Sequence, residues 1–218
     1  AQFCKAGNHS EMRHMVHQHT RWVMITTLPF FMIIAFLGHE LLGIFGSEFR
    51  LATSVVATLA LSQFTIALLS SAGFMLSMTG RHMLEFYTML FALMCNIALN
   101  LVLIPSFGLL GAAAATLVST ILANILRSIQ VYKVHGIFPF DRGLLQPALI
   151  GVLCSAVVIG LYRYFSAGNG IGGAIATSVI FFLLYSILVV KIGLNAEDKL
   201  LAVRITEKLG LRTKPEST

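Results

Sequence analysis

Two arginines and four carboxamide side chains lie within or at the edges of long apolar stretches, where a polar group is costly unless it finds a partner. The arginines are Arg81 and Arg127, and the carboxamides are Gln63, Asn96, Asn100 and Asn124. A guanidinium stays charged and presents a planar fork of donors, which suits anion binding. Its long stem suits snorkelling to the membrane interface equally well. Asn96 and Asn100 are four residues apart, so on a helix their amides share a face. Amides of this kind, Gln63 and Asn124 included, either glue helix pairs together or line a polar cavity.

Other chemistries find little support. No Asp or Glu falls near the middle of an apolar stretch, which removes the paired carboxylates of an intramembrane hydrolase. Ser/His/Asp arrangements, phosphate loops and nucleotide fingerprints are absent too, so the sequence points to no catalytic residue and no cofactor. His14, His17 and His19 cluster, and a helix would bring His14 and His17 to one face. An interfacial role fits them better than metal binding, which needs a complete ligand set. Cys4, Cys95 and Cys154 have no metal or redox spacing.

The elements that position these residues follow from composition. Hydrophobic residues make up 57% of the 218, charged residues 11%, and mean hydropathy is +0.85. A soluble domain carries about 25% charge, so too little charge is present to clothe a water-facing surface. A span needs about 20 mostly apolar residues. Six stretches qualify: Trp22 to Phe45, Leu51 to Met78, Leu84 to Ile104, Leu109 to Val131, Leu145 to Phe165 and Ile171 to Ile192. Barrel strands would alternate apolar and polar residues, whereas Ala148 to Leu161 is apolar throughout. The expected fold class is therefore all-α, a polytopic bundle of six transmembrane helices.

Three regions result: 1–21, a cytoplasmic juxtamembrane segment; 22–192, the bundle; and 193–218, a cytoplasmic tail. The tail holds a short amphipathic helix begun by Asn195 and stopped by Gly210. Orientation follows from Lys and Arg in the flanks. Thirteen cations fall on the side of the termini, among them Arg21, Arg81, Arg127, Lys133 and Arg142, and only Arg50 and Arg163 fall opposite. Both termini are expected in the cytoplasm. The same partition explains the net charge of +6 through anionic lipid rather than nucleic acid, which would require a clustered basic face. The beginning at Ala1, without a cleavable signal, suggests that the chain starts inside a larger membrane protein.

The run Asn96-Ile97-Ala98-Leu99-Asn100, continuing through Ile104-Pro105-Ser106-Phe107-Gly108 to Gly111-Ala112-Ala113-Ala114-Ala115-Thr116 and Ser119, resembles polysaccharide flippases of the multidrug/oligosaccharidyl-lipid/polysaccharide exporter superfamily. Physical chemistry makes the pattern sensible. Pro105 is expected to end one helix, Gly108 to permit a tight reversal, and Gly111 and Ala115 to seat the next helix against a neighbour. Phe45-Gly46-Ser47-Glu48-Phe49 and Thr79-Gly80-Arg81 resemble two further turns of the family.

The resemblance implies the C-terminal half of a transporter with two bundles around a central cavity. It further implies alternating-access transport of an undecaprenyl-diphosphate-linked oligosaccharide across the cytoplasmic membrane, for cell-surface polysaccharide of the O-antigen or lipopolysaccharide kind. The implied partners are that substrate, membrane lipids and the N-terminal half. On this reading Arg81 and Arg127 meet the anionic head group, while Gln63, Asn96, Asn100 and Asn124 offer neutral hydrogen bonds deeper in. Two alternatives stand beside it: a multidrug cation antiporter of the same superfamily, and a membrane enzyme subunit of envelope polysaccharide synthesis. The antiporter should show intramembrane carboxylates. The enzyme should show a catalytic carboxylate or a large outer loop.

Overall fold

A computed structural model describes residues 9–138, 142–165 and 170–193. The expected tail helix, the terminal residues 194–218, residues 1–8 and Cys4 lie outside the described residues. All regular structure among those described is helical: α1 (His9–Leu42), α2 (Thr53–Met78), α3 (His82–His135), α4 (Leu145–Phe165) and α5 (Gly170–Leu188). Short 3-10 turns occupy Ser47–Ala52 and Arg142–Leu144, and a π-turn at Val189–Gly193 follows α5. Helix is the physical solution for such stretches, because only it satisfies backbone groups within one apolar segment.

Three described segments are long and apolar enough to cross a membrane: Met12–Leu42, Ser47–Met78 and His82–His135. Leu145–Val158 and Ile175–Lys191 are shorter apolar helices. The 54-residue α3 is not one rod. Gly108, at φ 56 and ψ −132, breaks the helical path. Asn96 Nδ2 lies 3.2 Å from Ser119 Oγ, which an unbroken helix would carry far away at 1.5 Å per residue. The element is a hairpin of two antiparallel arms, 82–107 and 109–135, each longer than the about 20 residues of a span. Helix continues through Pro105, which corrects the expectation that proline ends it. Proline forfeits one hydrogen bond but keeps a helical φ, whereas the reversal needs a positive φ that glycine accepts readily.

α1 also begins earlier than the hydropathy reading expects, at His9 rather than Trp22. Its first turns bury Val16 and Thr20, so residues 9–21 extend the helix instead of forming a separate segment. Val16 packs with Ala72, Met75, Leu76 and Val131, drawn from α2 and the second arm of α3. α1 contacts α2, α4 and α5, and α2 contacts α3. Phe31 and Phe64 stack at 5.0 Å between α1 and α2. Gly151 lets α4 pass close to α1, since a Cβ there would overlap the Leu28 side chain.

Hydrogen bonds show which helix ends meet. His17 bonds the Phe138 carbonyl, Thr20 bonds Ser71, and Thr79 bonds His135. The start of α1, the end of α2 and both ends of the hairpin therefore share one end of the bundle. Glu48, Phe49 and Leu109 line a hollow at the opposite end, beside the Gly108 reversal.

Candidate functional site

Arg127, on the second arm of α3, reaches across to Glu85 near the start of the first arm. Its Nε donates to Glu85 Oε2 at 2.9 Å and its Nη2 to Oε1 at 2.5 Å. The pair is bidentate, the strongest geometry open to these groups. Nη1 donates to Asn124 Oδ1 at 2.6 Å, and Asn124 Nδ2 donates to the Thr65 carbonyl of α2 at 3.1 Å. One guanidinium thus ties together both arms and α2.

Burial raises the stakes. The Arg127 and Glu85 side chains are 14% and 10% exposed, and Asn124 is buried. Gly73 of α2 makes the room: a Cβ there would sit 3.0 Å from Arg127 Nε and 3.2 Å from Glu85 Oε1. Gly73 carries no signal of this role in the sequence. Its relevance follows from α2 crossing the hairpin at that height.

A polar seam continues between the arms. Gln130 Nε2 donates to Thr88 Oγ1 at 2.9 Å, Asn96 donates to Ser119, and Asn100 Nδ2 donates to Asn96 Oδ1 at 2.9 Å. Ser62 of α2 donates to Thr120 at 3.2 Å. Thr88 and Gln130 were not singled out from sequence, although they lie nearly equally far from Gly108 along the two arms. Opposing positions in a hairpin meet, and that register could have found them.

The six candidate residues do not converge on one point. Arg127 and Asn124 touch, Asn96 and Asn100 touch higher in the hairpin, and Gln63 and Arg81 are exposed on separate parts of α2 and its following turn. Gly111 is buried at the hairpin top, where a Cβ would overlap the Leu103 carbonyl oxygen; Ala115 is fully buried. Among the described residues no group of three His, Cys, Asp or Glu could hold a metal. Cys95 and Cys154 are free thiols.

Chemically, the cluster offers hydrogen-bond donors, and among its described residues no nucleophile stands beside a base. Arg127 uses three of its five N–H groups internally. Two remain for an incoming acceptor. Antiparallel apolar helices with such an internal polar seam define an integral membrane protein of the helical-bundle class.

Residues 1–102 are similar to the MatE family. The chain is also similar to the probable low-salt glycan biosynthesis flippase Agl15 of Haloferax volcanii. That similarity is 29% identity over 163 residues, covering 73% of this chain and 33% of the relative. The chain therefore spans about a third of the length of that curated relative. No solved structure matches it.

Proposed function

We propose that the chain is the C-terminal half of a flippase that moves an undecaprenyl-diphosphate-type lipid-linked oligosaccharide across the cytoplasmic membrane by alternating access. Six helical segments cross the bilayer: α1, α2, the two arms of α3, α4 and α5. Both termini face the cytoplasm, and cell-surface polysaccharide of the O-antigen kind is the end product. The similarity to a glycan biosynthesis flippase carries this reading, and the Arg127 cluster supplies its chemistry.

A diphosphate entering a path through lipid sheds strong hydration and needs replacement donors. Arg127 retains two, while Glu85 takes two of the other three and Asn124 the third until a stronger anion competes for them. Arg81, exposed at the start of α3, is the first cation such a head group meets. Gln63, Asn96, Asn100 and Asn124 serve as neutral hydrogen-bonding groups. An antiporter reading would call for carboxylates deep in the spans; Glu85 lies near a helix end instead and is paired.

The test is flipping of the lipid-linked oligosaccharide in vesicles containing the complete transporter, at equal protein content. Arg127→Lys should flip at a reduced rate, since Lys keeps the charge without the fork. Arg81→Ala with Arg127→Ala should flip very little. Full activity in that double variant would remove both residues from the mechanism.

A further inference from the structure

α2 differs from the other apolar helices in what it leaves uncovered. Exposed positions on the first arm of α3, on α4 and on α5 are carried by residues such as Phe91, Met94, Leu153 and Leu183, as a lipid contact requires. On α2 the exposed face carries Gln63, Ser70 and Ser77, spaced by seven, and Phe74, 66% exposed between the serines, with Leu59 and Ile66 exposed beside them. Seven residues make almost two turns, so all four share one face. The opposite face of α2 holds Leu69, Ala72 and Leu76, which are buried.

Gln63 sits near the middle of the helix and has no hydrogen-bond partner among the described residues. An amide in hydrocarbon without a partner costs several kcal/mol, about 4 to 8 on transfer to a non-hydrogen-bonding solvent. Ser70 Oγ donates to the Ala67 carbonyl at 2.8 Å, which leaves its lone pairs outward. A face of this kind belongs against water or a polar ligand. Amide and hydroxyl groups flanking an open aromatic ring are the chemistry that recognises a saccharide: hydroxyls bond to the polar groups, and the sugar's C–H face lies on the electron-rich ring.

We infer that Gln63, Ser70, Phe74 and Ser77 form a hydrated wall of the transport path that contacts the saccharide portion of the cargo. The inference rests on the flippase reading and assigns the sugar to α2, apart from the anion at Arg127. The experiment places single cysteines at positions 63, 70 and 77 of the complete transporter, in a background with its native cysteines replaced. Leu93→Cys and Leu153→Cys serve as lipid-facing controls. A water-soluble thiol reagent should modify Gln63→Cys, Ser70→Cys and Ser77→Cys but not the controls, because only a hydrated thiol ionises readily. Undecaprenyl diphosphate carrying a trisaccharide should slow modification at 70 and 77, and the sugarless carrier should not. Phe74→Leu should slow flipping, with Phe74→Trp restoring it.

Modification only by a lipid-soluble reagent, or by neither reagent, would overturn the hydrated wall in favour of lipid or covering helices. If the transporter flips the glycosylated carrier while neither carrier alters labelling, the saccharide contact is wrong and the cargo reading survives. Labelling with sugar-dependent protection but no flipping would do the reverse.

Discussion

Arg127 is the residue on which the polar interior turns, because its charge is mostly withdrawn from water and balanced by a single carboxylate. Breaking a buried pair from one side strands the other charge, at about 3 to 5 kcal/mol. Glu85→Ala should therefore lower stability by about that much in mild detergent. Adding Arg127→Met should restore part of the loss, since an apolar pair leaves nothing stranded. An unchanged unfolding midpoint in Glu85→Ala would show that the pair is solvated. The sequence marked Arg127 and Asn124 as polar intrusions, and both lie in this cluster. Glu85 was not legible as the partner of Arg127, because nothing in a linear sequence joins two positions 42 residues apart. The cross-arm pairing wins because the start of the first arm lies beside the end region of the second once Gly108 reverses the chain.

The α3 hairpin is the element that sets the register of the whole seam. Its reversal depends on Gly108, whose backbone conformation is open to glycine and strained for other residues. Gly108→Ala should cost about 1 to 3 kcal/mol, and Gly111→Leu about as much through overpacking against the Leu103 carbonyl. Pro105→Ala should cost much less than either, because the helix already runs through Pro105. Unfolding of the three variants in one detergent checks the ranking, and a larger loss from Pro105→Ala than from Gly108→Ala would contradict it. The turn was legible from Ile-Pro-x-x-Gly and the small residues after it. Its location was legible only to within a turn of helix, since proline and glycine both signal a break and geometry alone shows which one provides it. Hydropathy likewise located α1 but not its start, because residues 9–21 are polar and still bury Val16 and Thr20.

For the whole molecule, the helical class was readable from composition, since 11% charge admits few alternatives in a chain this apolar. Packing was not readable, as runs apolar all round carry no periodic face, and α2 revealed its polar side only once its neighbours were in place. Arg21, Arg81, Arg127 and Lys133 lie at the end where α1 starts and the hairpin closes, the end that the positive-inside rule assigns to the cytoplasm. Reporters after Gly46 and after Thr218 should therefore read outside and cytoplasm respectively. The reverse would invert the path proposed for the head group. The most direct measurement is cargo choice by the complete transporter in sealed vesicles. It compares movement of an undecaprenyl-diphosphate-linked oligosaccharide between leaflets with efflux of a cationic dye. A flippase with an arginine-centred seam should move the anionic lipid-linked sugar and leave the dye behind. Dye efflux driven by a proton or sodium gradient, with no flipping of the sugar lipid, would contradict it.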